Sequence, residues 1–247
     1  MWAWSSLPQS RIRLLLLSNS RNPGGGWLDH AEGEIRDFLG EAGVMPRSPL
    51  LFFPFAAVTM SFDAYTAMAR RRFAKMGYEL LGAHRAKPGA ARAASGFVAG
   101  GGNTFRLLHE MQRRGWLARV NGEVRKGKPY IGWSAGSNLA CPTIRTTNDM
   151  PVIEPASLAA MGLLGFQLNP HYTERTLPRH GGESRDQRIA EFHILNPRVP
   201  VLGLREGTLL RVERGRLDLR LGSGARLFRA GRKPRDLEPG ASLRELE

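Results

Sequence analysis

The chain has 247 residues, 42% of them hydrophobic, and a formal net charge of +14. That length and apolar content exclude an intrinsically disordered chain and are enough for one large α/β domain with a real core. A single cysteine, Cys141, excludes an internal disulfide, and no apolar run approaches the ~20 residues of a membrane span. The basic excess raises the question of nucleic acid, but the arginines are spread along the chain and are densest after Arg205. There is no zinc-finger spacing, no ribonucleoprotein aromatic motif and no lysine-rich tail, so neither a nucleic-acid partner nor a membrane is expected. A basic surface would instead steer acidic small molecules. The apolar run Leu14–Leu17 is shorter than the roughly 7–15 residues of a signal peptide core, so a soluble, cytoplasmic protein is expected.

In chain order, residues 1–10 read as an N-terminal extension and residues 11–247 as a single α/β domain. Arg13–Ser18 (RLLLLS) is a wholly apolar strand, the pattern of a strand buried on both faces. A glycine-rich loop, Asn22–Gly26, leads to a helix predicted from about Leu28 to Leu39. A second strand, Leu50–Pro54, precedes a helix over Asp63–Met76. Strands follow at Tyr78–Gly82 and Gly96–Ala99, the latter running into Gly100-Gly101-Gly102. Helices over Thr104–Arg114 and Leu117–Lys126 lead to a fifth strand, Tyr130–Trp133. From Leu202 onward, short strands split by E-R-G and G-S-G predict antiparallel hairpins that finish the sheet. Alternating helices and buried strands predict a doubly wound, mostly parallel α/β sheet. In such sheets ligands bind at the carboxyl ends of the strands. Three glycine-bearing loops lie there: Asn22–Gly26, Gly100–Asn103 and Gly132–Gly136.

The third loop holds Gly132, Ser134 and Gly136 in a G-x-S-x-G directly after the fifth strand. A sharp strand-to-helix turn exposes a serine Oγ and aims the N–H of the next residue, Ala135, the same way. A Cβ at either flanking glycine would crowd such a turn. The competing reading is a plain helix cap, since serine is a favoured N-cap; the strand–turn–helix context favours a nucleophile. Gly101 or Gly102, in the run after Ala99, would supply a second oxyanion donor. That run lacks the Gly-Lys-Ser/Thr of a phosphate loop.

Six histidines compete for the role of base. His30 and His109 sit in helical patterns. His171 falls at the end of an apolar run through Leu168, on the side of the site. His180 lies in a glycine-rich loop and could bind substrate. The carboxylate that orients the base is Asp149, in TTNDMP, or Glu206, in GLREGT. Triads are defined by geometry and not by chain order, so both remain open at this point.

The blocks LLLLSNS, FPFAAVT, GGGNTFRLL, YIGWSAGSNLACPTIRTTNDMP, FQLNPHY, GESRDQRI and GLREG resemble, in order, the peptidase E family of α-aspartyl dipeptidases, serine peptidases. The resemblance covers most of the chain, and the block around Ser134 is long and specific. It implies a fold similar to class I glutamine amidotransferases (flavodoxin-like), with serine in place of their cysteine nucleophile. It implies hydrolysis of dipeptides with an N-terminal aspartate, with Ser134 as nucleophile and His171 as base. In that family both the aspartate matching Asp149 and the glutamate matching Glu206 have been proposed as the third member; Glu206 is taken first as the orienter of His171, with Asp149 kept as a required site residue. No metal or cofactor is implied, and the sequence contains no H-E-x-x-H.

Restriction to aspartate calls for a cation that can grip a carboxylate, and a bidentate arginine is the natural device. Arg185, in GESRDQR, is the first candidate and Arg145, in TIRTT, the second. Asn103 or Glu183 would hold the substrate's free amine. The expected partner is a small Asp-X peptide, and the protein a monomer or homodimer. The chain departs from the family in its N-terminal extension, in extra residues within Glu41–Pro49, in a less β-branched fourth strand and in its basic excess. The rival functions are a cyanophycinase-like β-aspartyl peptidase, which would need acids to receive arginine, and a non-catalytic binding protein on the same fold.

Overall fold

The computed structural model describes residues 11–175 and 181–246. The extension at residues 1–10 and His180 therefore lie outside the described residues. The sheet core is built from β1 (Leu14–Leu17), β2 (Pro49–Phe53), β3 (Glu79–Gly82), β4 (Gly96–Ala99) and β5 (Tyr130–Trp133). These five strands pair in parallel in the order β3-β2-β4-β5-β1. The apolar run of β1 shows why the inner strands are buried on both faces, whereas the edge strand β3 exposes Glu79 and Leu81. Leu14 and Leu16 enter one core, while Leu15 and Leu17 enter another on the opposite face. Alternate residues of a strand point to opposite faces, so a strand covered on both sides must be apolar throughout.

The covering helices follow the sequence closely. On one face lie α1 (Glu32–Glu41) and α2 (Phe62–Lys75), through Ile35, Phe38, Ala69 and Phe73. On the other lie α3 (Thr104–Arg113), α4 (Trp116–Arg125) and the short α5 (Ala135–Leu139), through Leu107, Met111, Trp116, Val120 and Leu139. Burying each of these side chains other than Ala69 stabilises the fold by about 1.5–3 kcal/mol. Helix α1 begins later than its periodicity predicts. The Asp29 carboxylate accepts the Gly26 N–H at 2.9 Å, and a 3-10 turn over Asp29–Ala31 precedes the helix proper.

The C-terminal strands do not all finish the first sheet. β6 (Gln167–Tyr172) and β7 (Val201–Arg205) pair in parallel; β10 (Ala225–Phe228) and β11 (Arg235–Leu237) follow antiparallel, making a separate four-stranded sheet in the order β11-β10-β7-β6. Only the hairpin of β8 (Leu209–Glu213) and β9 (Arg216–Arg220) completes the seven-stranded sheet, antiparallel to β1. Between β6 and β7 lies α6 (Arg185–Leu195), which apolar periodicity does not reveal. It is started by a capping box: the Ser184 side chain accepts the Gln187 N–H while the Gln187 side chain accepts the Ser184 N–H.

Much of the C-terminal basic excess is structural. Arg205 pairs with Glu174 and Asp236, Arg211 with Glu213 and Glu41, Arg220 with Glu34, and Arg229 and Arg235 with Glu245. No helix among the described residues is long and apolar enough to cross a membrane.

Candidate active site

The turn after β5 is tight enough to require both glycines. A Cβ on Gly132 would lie 2.5 Å from the carbonyl carbon of Gly136, and one on Gly136 would overlap the Ala99 carbonyl. Between them Ser134 has φ 53° and ψ −113°, a conformation costly for a residue with a side chain. Ser134 is half-buried, at the mouth of a cleft of about 390 Å³. The motif is therefore a strained elbow, and the Ser134 side chain makes no cap bond to α5. The turn is tied down by Ser137, whose Oγ donates to the carbonyls of Leu17 at 2.7 Å and Gly132 at 3.0 Å.

His171 meets the serine from the second sheet. Its Nε2 lies 3.0 Å from Ser134 Oγ and its Nδ1 2.8 Å from Glu206 Oε1. The imidazole thus bridges hydroxyl and carboxylate through its two ring nitrogens, the arrangement a general base requires. His171 has φ 55°, again unusual for a residue with a Cβ. It sits in a bulge where the β6–β7 register slips between Asn169 and Tyr172.

Three consecutive residues at the end of β1 hold the three partners. The Leu17 carbonyl accepts the Ser134 N–H at 3.1 Å. Ser18 Oγ accepts the His171 N–H at 2.9 Å and donates to the Leu204 carbonyl at 2.8 Å. Asn19 Oδ1 accepts the N–H of Gly207, next to Glu206, at 2.8 Å. Sequence reading missed these roles of Ser18 and Asn19. Their signal is the abrupt change from four leucines to polar residues that are nonetheless buried.

The glycine run lies against the serine. A Cβ on Gly101 would come within 3.1 Å of Ser134 Cβ, and Gly102 has φ 132° and no room for a Cβ, which would overlap the Ala56 carbonyl. The turn uses the Gly100 N–H on Phe53 O and the Asn103 N–H on Ala56 O. Those of Gly101 and Gly102, between them, take no partner among the described residues. Tyr65, which receives a hydrogen bond from Trp133 Nε1 at 3.2 Å, donates to the Gly101 carbonyl at 3.1 Å. In a trans peptide that bond also fixes the opposed direction of the Gly102 N–H. Burial pushes the Tyr65 hydroxyl pKa well up, so it stays a donor. With Ala135 opening α5, the site offers backbone donors for an oxyanion from two loops.

Asp149 is placed elsewhere. Its Oδ2 accepts from the N–H of Thr104 at 2.7 Å, from Thr104 Oγ1 at 2.5 Å and from Thr147 Oγ1 at 3.1 Å. It anchors the start of α3, where the helix dipole favours a carboxylate, and thereby the loop carrying Gly101 and Gly102. Asn103 lines the cleft, but its amide is committed: Oδ1 caps α3 through the Arg106 N–H at 3.0 Å and Nδ2 donates to the Met150 carbonyl at 2.8 Å. Asp149→Ala is expected to destabilise the protein by about 1 kcal/mol, as loss of a helix cap does, and to lower kcat by about tenfold. Glu206→Ala should cost more than a hundredfold with little change in melting temperature. Kinetics and thermal denaturation on both variants check this; the reverse ranking would make Asp149 the orienter.

Arg185 opens α6 and donates through Nη1 to Asn148 Oδ1. Asn148 also accepts from Asn169 Nδ2 at 2.9 Å and donates to the Pro170 carbonyl at 2.8 Å, which ties the arginine to the strand end that carries His171. Neither asparagine stands out in the sequence except by lying in the blocks around Asp149 and His171. Burial, with Arg188 nearby, pulls the Arg185 pKa down, and no carboxylate pairs with it among the described residues. Arg145 is exposed. Glu183, also exposed, pairs loosely with Arg188 at 3.9 Å. The structure thus gathers Ser134, His171, Glu206, Gly101, Gly102 and Ala135, with Arg185 behind Asn148, and leaves Arg145 and Glu183 at the surface. His109 Nδ1 lies 3.0 Å from the Glu154 carbonyl, and His30 is half-buried with neither ring nitrogen partnered among the described residues.

A serine on a strand-to-helix elbow, with an imidazole bridging it to a carboxylate, on a mostly parallel α/β sheet, defines a serine hydrolase. The profile of Peptidase family S51 matches residues 14–220. Peptidase E of Nostoc sp. is 43% identical over 233 residues, 94% of this chain and 95% of that protein. Peptidase E of Citrobacter koseri is 45% identical over 231 residues, covering 93% and 99%. The crystal structure of a peptidase from an acI-B1 actinobacterium superposes with a TM-score of 0.64 at 14% identity, over 93% of this chain and 99% of that one, a likeness of fold. The chain belongs to peptidase family S51 and is a serine peptidase.

Proposed function

We propose that this peptidase is a dipeptidase that hydrolyses Asp-X, acting in the cytoplasm on free small peptides with Ser134, His171 and Glu206 as its triad. The observation that carries the aspartate specificity is Arg185: a half-buried guanidinium whose partner is the neutral Asn148 rather than an acid. Other arginines of the chain, such as Arg205 and Arg211, already have carboxylates. A neutral acceptor orients the fork without cancelling its charge, which leaves the charge for the substrate's side-chain carboxylate. The cleft of about 390 Å³ is at the small end of ligand sites, suited to a dipeptide more than to an extended chain.

In the reaction, Ser134 Oγ attacks the Asp-X carbonyl carbon as His171 Nε2 takes the hydroxyl proton. Glu206 holds Nδ1–H and stabilises the imidazolium. The oxyanion is met by the N–H of Ala135 and that of Gly101 or Gly102. Collapse breaks the C–N bond, and the amine leaves with the proton from His171. Water, activated by the same imidazole, then cleaves the acyl-enzyme.

The test is a panel of Asp-Leu, Asn-Leu, β-Asp-Leu and β-Asp-Arg. Asp-Leu is expected to be preferred over Asn-Leu by at least a hundredfold in kcat/KM, since the half-buried cation would be left unmatched by the amide. Preference for β-Asp-Arg would make the protein a β-aspartyl peptidase of the cyanophycinase kind. Failure on every substrate by folded protein would leave a binding protein.

A further inference from the structure

Neither member of the His171–Glu206 pair is packed tightly. Their side chains are 41% and 53% exposed, and each stands where a strand ends. The ladder beneath them is interrupted. Pairing runs regularly from Gln167 opposite Val201 to Asn169 opposite Gly203, then slips so that Tyr172 faces Arg205. One extra residue of β6 is accommodated in that bulge, and His171 lies within it. Something beyond the bulge must re-close the two strands if the imidazole and the carboxylate are to stay 2.8 Å apart.

Arg205 is placed to do this. It immediately precedes Glu206, and its guanidinium lies over the ring of Tyr172, which immediately follows His171, at 5.8 Å. All three guanidinium nitrogens are engaged. Nε donates to Glu174 at 3.1 Å, Nη1 to the carbonyls of Ser223 and Ala225 at 3.3 and 3.2 Å, and Nη2 to Glu174 and Asp236. Glu174 extends from the end of β6, so the Arg205–Glu174 pair spans the two strand ends directly. The contacts close into a ring. Glu174 also accepts from Arg226 at 3.3 Å, Arg226 faces Asp186 at 3.7 Å, and the Tyr172 hydroxyl donates to Asp186 at 2.5 Å. Arg205 holds Glu174 ionised and Glu174 holds Arg205 protonated, so both stay charged across the working range of the enzyme.

We propose that Arg205, clamped by Glu174 and Asp236 and stacked on Tyr172, is a positioning residue that sets the distance and angle between His171 and Glu206. The proposal rests on the reading of Ser134, His171 and Glu206 as the triad. A partly exposed ion pair adds little to stability, whereas a guanidinium fork held at every nitrogen fixes geometry. The effect on rate is then larger than the effect on folding.

The experiment compares Arg205→Met and Arg205→Lys with wild type and with Ser134→Ala on Asp-Leu, with rates referred to the folded fraction from denaturation curves. Arg205→Met is expected to lose 10- to 100-fold in kcat, the scale of a misalignment of about 1 Å, with KM within twofold. Arg205→Lys should recover part of the loss, because an ammonium keeps the charge but cannot form the fork. Unchanged kcat in Arg205→Met overturns the proposal, and so does a loss confined to KM. If Arg205→Met does not fold, Glu174→Gln and Asp236→Asn stand in for it: a kcat loss in Glu174→Gln supports the clamp, and wild-type kcat in both variants overturns it. Ser134→Ala separates the two readings. If it is inactive while Arg205→Met is normal, only the clamp is wrong; if it is active, the triad itself is wrong.

Discussion

Ser134→Ala is expected to lower kcat for Asp-Leu by roughly 10⁴- to 10⁶-fold, while KM and the melting temperature stay close to wild type. The size follows from what the hydroxyl does in an acyl-transfer mechanism. With the nucleophile gone, the oxyanion donors and binding contacts supply only the residual acceleration that positioned dipoles give to direct attack by water. The fold should tolerate the change, because the Ser134 side chain caps nothing and the backbone strain at φ 53° is unaltered by removing Oγ. His171 loses one partner at 3.0 Å but keeps Glu206. Steady-state kinetics on purified variant, with a mock purification to set the background, measure the effect. Residual activity within tenfold of wild type would show that another group performs the attack.

Arg185→Met should raise KM for Asp-Leu by about 100-fold or more and leave hydrolysis of an ester with a neutral acyl side chain nearly unchanged. Removing a half-buried cation from a carboxylate it grips removes a charge-assisted, bidentate interaction and leaves the substrate's charge without a partner. Methionine keeps most of the apolar stem, so the N-terminus of α6, held by the Ser184–Gln187 capping box, should stand. Measuring kcat and KM for both substrates tests the idea. Equal losses on both would mean that Arg185 supports the loop and does not read the substrate. Asn148 enters the same argument, since it accepts the hydrogen bond that orients the guanidinium.

The large sheet was legible because its inner strands are buried on both faces, and such strands carry no alternation to confuse them with surface segments. Gly96–Ala99 and Tyr130–Trp133 have the bounds expected from sequence, and the elbow after Trp133 follows from glycines whose crowding is a local property of the turn. The second sheet was not legible, because β7 pairs with β6 across a whole helix rather than with its neighbour in sequence. No local pattern distinguishes a hairpin that extends one sheet from strands that form another. Helix α6 hid for a different reason. Its exposed Ile194 and Leu195 and its few buried residues blur the apolar stripe, while its true signal, serine three residues before glutamine, is a capping pattern. The choice between Asp149 and Glu206 was beyond the sequence because both follow apolar runs. Only the folded chain shows one carboxylate on the imidazole and the other on the start of α3.

The end of β1 contributes no reacting atom, yet it acts as the common datum from which the machinery is aligned. Serine and histidine are 37 residues apart in sequence, and histidine and glutamate 35. Were each located only through the intervening chain, their positional errors would compound. Instead Leu17, the last residue of β1, and Ser18 and Asn19, which directly follow it, each accept one backbone N–H: that of Ser134, that of His171 and that of Gly207, the neighbour of Glu206. The relative error is then that of two short bonds to the same jig. Loop insertions elsewhere can accumulate without detuning the catalyst.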